Sequence, residues 1–364
     1  MKIGIVTFWE SKDNFGQILQ CYALENQLKK MGHSPVLIRI RRLCSETHPS
    51  LKVKLKSCLR KILHLERLGC GGKNFEKFQN DYISFTKKIY SSKNDFLPSE
   101  LDYDAIICGS DVVWSEGVGT GVWGEFCFLD FFTSPIKKIS YAASFGATSL
   151  SKNFSDFAKK KIASFNAISV REKSGIDICA QLGRNDAVAV CDPTLLLNVD
   201  DYKKLILCEV KKECFGYFIG WPTDVPITEI KKYANKKKMK FSRLNCQNST
   251  RSIKKMLTTP KTIPEWLATY AGADCIFTNS FHGTIYAILF NKPFLFLPIT
   301  GSAAKLNNRV ENLLTQLNLT ERIWKPNVSI EVQMNRKIDW DQVNFAVEQW
   351  RVYSTEWLNR ALER

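Results

Sequence analysis

Ala273-Asp-Cys-Ile-Phe-Thr-Asn-Ser-Phe-His282-Gly-Thr-Ile-Tyr-Ala-Ile-Leu-Phe-Asn-Lys-Pro-Phe-Leu-Phe-Leu-Pro298 holds two short apolar runs of strand length, Ala273 to Thr278 and Phe294 to Leu297. Between them Phe281 to Phe290 has helical spacing, ended by Asn291-Lys292-Pro293. Strand, helix, strand in this compass is a βαβ unit, with parallel strands and a right-handed crossover. Asn279 to Gly283 then lie where a strand's carboxyl end meets a helix N-terminus. Open parallel sheets bind ligands at that place, and the free N–H groups of the helix favour an anion. With four histidines in the chain, His282 is the one in a turn of this kind. It reads either as a proton donor and ligand contact or as a satisfied structural histidine.

Working outward, the same alternation recurs on both sides. Downstream, Ile299 to Lys305 reads as a loop that carries Lys305 past a strand's carboxyl end, as a second cation for the same anion or as a surface lysine. Upstream, Cys214 to Ile219 and Met239 to Leu244 read as strands and Ile263 to Ala271 as a helix, while the hydrophilic stretch Asn198 to Glu213 reads as a linker. Before the linker, strands are expected at Ile3–Phe8, Pro35–Ile40, Tyr103–Cys108, Lys137–Ala143, Ala167–Val170 and Ala187–Val190. Their ends deliver Asn14, Asp111, Arg171 and Asp192 to one rim. Arg171 offers a planar fork to a carboxylate or phosphate, or else pairs with Asp111 or Asp192. The expected architecture is α/β, two Rossmann-like halves facing each other across a cleft: residues 1–200, residues 201–340, and a C-terminal helix over 341–364 that crosses back to the first half.

The 364 residues, 45% hydrophobic and 24% charged, are those of an ordinary globular protein of two domains. No apolar run approaches the ~18 residues of a membrane span, and the first residues are strand-like rather than a signal peptide. Twelve cysteines without a C-x-x-C pair read as buried thiols in a reducing compartment. The net charge of +16 suits nucleic acid, an anionic membrane or phosphorylated substrates. Part of it lies in the segment of about 45–72, where Lys and Arg alternate with Val, Leu and Ile as a basic amphipathic helix. That segment is either a solvated surface helix or an interfacial one. The basic residues do not interleave with aromatics along strands, which argues against nucleic acid.

Five segments occur in a fixed order: Asn14-Phe-Gly-Gln-Ile-Leu-Gln20, Gly109-Ser-Asp-Val-Val-Trp114, Ser169-Val-Arg-Glu-Lys-Ser174, Asp192-Pro-Thr-Leu-Leu196 and Ser280-Phe-His-Gly283. Together they resemble the polysaccharide pyruvyl transferase family, from the first strand to about residue 320. The resemblance implies transfer of the pyruvyl group of phosphoenolpyruvate to a sugar, commonly as a ketal across two hydroxyls, on a GT-B-like fold. It implies no cofactor, phosphoenolpyruvate being a co-substrate. It makes His282 the essential histidine and Arg171 the motif arginine of the donor site, with Ser280, Gly283 and Lys305 beside them. Where some members carry an acid after the first-turn glycine, this chain has Gln17. Asp111 and Asp13 are therefore the remaining general bases. Asn14, Gly16, Gln17, Ser110, Asp111, Trp114 and Asp192 are expected on the acceptor side.

The chemistry fits that assignment. Phosphoenolpyruvate carries a phosphate and a carboxylate on three carbons and needs several cationic or N–H contacts. Those cations offset its charge without a metal, and the sequence shows no clustered metal ligands. A lipid-linked acceptor would bring a cytoplasmic enzyme to the inner face of the membrane, with the basic segment as its anchor. The competing expectations are a glycosyltransferase of the same architecture using a nucleotide-sugar, and a non-enzymatic basic binder of membrane or nucleic acid.

Overall fold

The computed structural model describes residues 1–11, 13–41, 71–96, 100, 102–117, 121–131, 136–220, 224–246 and 261–363. The basic segment of about 45–72 lies, but for its last two residues, outside the described residues.

Two parallel sheets organise the chain. The first has the order β2-β1-β3-β4-β5-β6, from β1 (Lys2–Val6), β2 (Ser34–Leu37), β3 (Ala105–Cys108), β4 (Lys137–Ala143), β5 (Ala167–Val170) and β6 (Val188–Ala189). The second has the order β10-β9-β7-β8, from β7 (Glu213–Ile219), β8 (Phe241–Cys246), β9 (Ala273–Thr278) and β10 (Phe294–Phe296). Helices cover the faces of both, so central strands such as β3 and β5 are buried along their whole length and read as unbroken apolar runs. The α/β reading with two Rossmann-like halves holds. Cys108, Cys191 and Cys275, placed by the sequence inside apolar runs, are buried thiols outside any disulfide.

Two local expectations are corrected. Gly301–Asn307 is a 3-10 helix rather than a loop, entered through Gly301 at φ +70°. The stretch after Asn198 begins not as a linker but as a capped helix, Val199–Lys203. Its Tyr202 is fully buried, with ring centroids 6.5 Å from Tyr22 and 5.1 Å from Tyr286. The hydrophilic composition misleads because one aromatic side chain outweighs several solvated lysines. Burying a tyrosine is worth far more than keeping exposed lysines in place.

The two sheets share one continuous apolar core. Its centre is Phe15, the first residue of the helix Phe15–Lys30. Phe15 stacks on Trp266 of the helix Ile263–Gly272 at 5.0 Å and 8°, and meets Phe75 edge-on at 4.9 Å. A helix from the first unit is thereby locked against the second sheet. The C-terminal helix Trp340–Glu363 returns to the first unit: Lys137 Nζ donates to the Leu362 carbonyl at 2.6 Å, and Arg351 Nε to the Leu195 carbonyl at 2.7 Å. No described helix is long and apolar enough to cross a membrane.

Phe15 is the test of this junction. Phe15→Ala removes a 3% exposed ring from between the units and should cost about 3–5 kcal/mol. The check is a lower midpoint in chemical denaturation with the far-ultraviolet circular dichroism of the folded protein retained.

Candidate active site

Both sheets end on the same junction. At the end of β9, Thr278 Oγ1 donates to the Tyr217 carbonyl at 2.6 Å, and Asn279 Oδ1 accepts from Ile219 N at 2.7 Å. This fixes the turn to its neighbouring strand. Ser280 then caps the helix Phe281–Leu289, accepting from Gly283 N at 3.2 Å. A Cβ on Gly283 would lie 2.4 Å from Thr278 Oγ1, so the helix can start only with glycine there. His282 is thus set in the first turn, 7% exposed.

Opposite it lies the N-terminus of the first helix, capped by Asn14, which accepts from Gln17 N at 3.3 Å. A Cβ on Gly16 would come within 2.2 Å of His282 Cγ and Nδ1. Gly16 is a site of close approach, where the backbone of one unit lies against the imidazole of the other.

Arg171 leaves the end of β5, buried at 4% exposure. Its Nε donates to Glu172 Oε1 at 2.9 Å and its Nη1 to Asp192 Oδ2 at 3.1 Å. The guanidinium lies over the Phe281 ring at 4.4 Å. Asp192 caps the short helix Pro193–Leu196 through Oδ1, which accepts from Thr194 N and Oγ1. Its Oδ2 also accepts from Ser110 Oγ at 3.0 Å and stands 3.5 Å from His282 Nε2. That separation is an ion-pair contact, too long for a good hydrogen bond. His282 Nε2 and Arg171 Nη2 are buried, and among the described residues neither has a hydrogen-bond partner. Burial opposes charge on Asp192, but His282 and Arg171 outweigh it and hold the carboxyl well below the usual range. Burial likewise opposes the Arg171 charge, and Glu172, Asp192 and Asp111 outweigh it.

The structure therefore brings His282, Arg171 and Ser110 onto one carboxylate oxygen of Asp192, with Ser280 and Gly283 shaping the turn. The pairing of Arg171 with Asp192, weighed from sequence as an alternative to ligand binding, is present and leaves one prong of the fork unused. Asp111, 7% exposed, sits at φ +79°, a strained backbone for a residue other than glycine. The Asp13 carbonyl accepts from Cys246 Sγ at 2.7 Å, another contact between the units. Gln17 Nε2 donates to the Glu10 carbonyl.

Two expectations fail on burial. Trp114 is fully buried, stacked on Phe128 at 5.3 Å with its Nε1 donating to the Cys127 carbonyl. It is part of the core and offers no face to a sugar. Ser110, also fully buried, spends its hydroxyl on Asp192. Lys305 is exposed on the 3-10 helix. The cation that approaches the cluster is Arg309, one helical turn on, with its guanidinium 5.8 Å from the Phe281 ring. Burial and then the like charge of Arg171 push its pKa down to about 10. Its sequence signal was an arginine in the first turn of the helix Asn308–Gln316, where the helix dipole disfavours a cation. Glu172, which also accepts from Ser144 Oγ at 3.0 Å, was missed as a mere neighbour of Arg171.

A model of the polysaccharide pyruvyl transferase family matches residues 14–300. The chain belongs to this family. No curated protein matches it significantly. Among solved structures, UDP-GlcNAc 2-epimerase from Neisseria meningitidis bound to UDP-GlcNAc is 11% identical, covering 96% of this chain and 99% of its own, with a TM-score of 0.47. The ADP-heptose lps heptosyltransferase II of E. coli is 10% identical over 96% and 99%, with a TM-score of 0.38. The match to the pyruvyl transferase family covers β1's following turn through β10, so all the clustered residues except Arg309 fall within it.

Asp192→Asn keeps the shape of this pyruvyl transferase's cluster and removes its shared charge. Leaving Arg171 underpaired should cost about 3–5 kcal/mol. Because the folded-state pKa is depressed, this contribution is complete above the unfolded value of about 3.9 and fades as pH falls through the folded one. Melting curves of the two proteins should stay apart above about pH 5 and converge as pH falls below about 4.

Proposed function

We propose that this pyruvyl transferase takes the pyruvyl group from phosphoenolpyruvate and places it as a ketal across two hydroxyls of a sugar in a surface or capsular polysaccharide precursor. The observation that carries the reading is the convergence of Arg171 and His282 on Asp192, with Arg171 Nη2 buried and, among the described residues, without a hydrogen-bond partner. A buried donor without an acceptor costs free energy that a bound anion returns.

In this reading Arg171 Nη2 and Arg309 hold the donor's anionic groups, Arg309 taking the part first expected of Lys305. Asp192 is the counter-charge for a protonated His282. His282 acts as general acid toward the methylene carbon or the departing phosphate. One sugar hydroxyl attacks the central carbon and Asp111, with Asp13 as the other candidate, accepts its proton. The second hydroxyl attacks as the carbon–oxygen bond to phosphate breaks. Of the two hydroxyl protons, one is balanced by the new methyl group and one by the released phosphate. No metal or cofactor has a part in these steps. A lipid-linked acceptor would place the enzyme at the cytoplasmic face of an anionic membrane, with the basic segment of about 45–72 as the proposed anchor.

Purified protein should release phosphate from phosphoenolpyruvate only when a suitable glycan is present, and His282→Ala should abolish release, by about 10²–10⁴-fold on the scale of general acid–base catalysis. Full activity in His282→Ala would leave the histidine as packing. Phosphoenolpyruvate should also raise the melting temperature where nucleotide-sugars do not; the reverse pattern would favour a glycosyltransferase. Arg309→Ala should weaken that protection at least tenfold, or about 1.4 kcal/mol. Lys305→Ala should leave it unchanged, and equal losses in the two variants would return the role to Lys305.

A further inference from the structure

A cavity of about 910 Å³ opens beside the charged cluster, with Arg171, Asp192, Phe281 and Arg309 in its wall. Ligand sites of this size hold a molecule well beyond three carbons. Its far wall comes from the C-terminal helix, through Ala346, Gln349, Trp350 and Tyr353. These positions are spaced i, i+3, i+4, i+7 and form one stripe of the helix. A neighbouring stripe, Val343, Val347, Ser354, Leu358 and Ala361, is buried. The helix is anchored by one stripe and presents the next to the cavity. Trp350 is half-buried and Tyr353 is 42% exposed, so each of these rings lining the cavity keeps part of its surface accessible. Gln349 of this helix, with Gln316 and Asp177 of two others, supplies amide and carboxylate groups to the lining of the same cavity.

We propose that this cavity is the acceptor subsite, in which a pyranose packs its C–H face on Trp350 and Tyr353 and bonds its hydroxyls to Gln349, Gln316 and Asp177. Aromatic faces with amide and carboxylate hydrogen-bonding groups suit a sugar ring, whereas Arg171 and Arg309 suit the small phosphate- and carboxylate-bearing donor. The inference rests on the pyruvyl-transfer reading for the identity of the reaction, not for the presence of a sugar. It assigns substrate choice to residues 346–353, downstream of the 14–300 match. Ser110, Trp114 and Asp192, first expected on the acceptor side, are all buried, and the cavity wall formed by the C-terminal helix takes over the sugar contacts expected of them.

The test uses the full chain with three probes, the methyl glycosides of β-galactose, α-mannose and N-acetyl-β-glucosamine. If any supports phosphate release from phosphoenolpyruvate, Tyr353→Ala and Gln349→Ala should each raise its KM about tenfold while the KM for phosphoenolpyruvate stays put. Tyr353→Phe, which keeps the ring, should restore the parent value. An unchanged glycoside KM in both alanine variants overturns the proposal. If none supports release, hydrogen exchange of residues 340–363 decides. Protection by a glycoside that Tyr353→Ala abolishes upholds the sugar site while counting against pyruvyl transfer, and no protection by any of the three overturns it.

Discussion

One carboxylate oxygen, Asp192 Oδ2, receives an arginine and a serine from its own unit and faces a histidine from the other. Everything at the junction depends on that charge staying ionised on a side chain only 1% exposed. A buried ion is tolerated only when it is paired and its remaining lone pairs are filled, and Asp192 meets both conditions: Oδ1 serves the helix cap and Oδ2 serves the cations. The arrangement is balanced but not saturated. Glu172 and Asp192 use two donor groups of Arg171, and the third nitrogen is the unfilled valence around which a ligand can be built.

Holding this geometry requires rigid supports from both sheets. Gly16 and Gly283 allow backbone to approach side chain at distances that any Cβ would forbid, and Phe15 pins the first helix by stacking on Trp266. One apolar core runs from the first sheet to the second, and its packing supports the positions of the imidazole and the guanidinium. Pre-organised charge of this kind stabilises developing charge without reorganising at the moment of reaction.

Much of this was legible in the sequence. Period-two and buried-strand patterns locate the strands from Lys137–Ala143 to Ala273–Thr278, because apolar runs bounded by glycine and proline have few other readings. The turns that carry His282 and Arg171 follow from strand-to-helix junctions. What escaped was which polar side chains face each other. Trp114 follows a motif and looks accessible, yet its ring stacks on Phe128, fourteen positions on. Lys305 and Arg309 differ by one helical turn, and only the 3-10 segment between them decides which cation reaches Phe281. Pairing across units is a tertiary fact that no local period encodes.

The C-terminal helix adds an order of events in time. The amide of Cys191, next to Asp192, donates to Ser354 Oγ at 3.0 Å, and Tyr141 Oη donates to the Cys191 carbonyl. During synthesis the strands of the first unit emerge long before residue 354, and domains commonly fold as they leave the ribosome. The peptide that bears the central carboxylate thus waits for its last brace until more than a hundred and fifty further residues have been made. A nascent chain can hold the first sheet, but it acquires a fully braced junction only once Ser354 has been made.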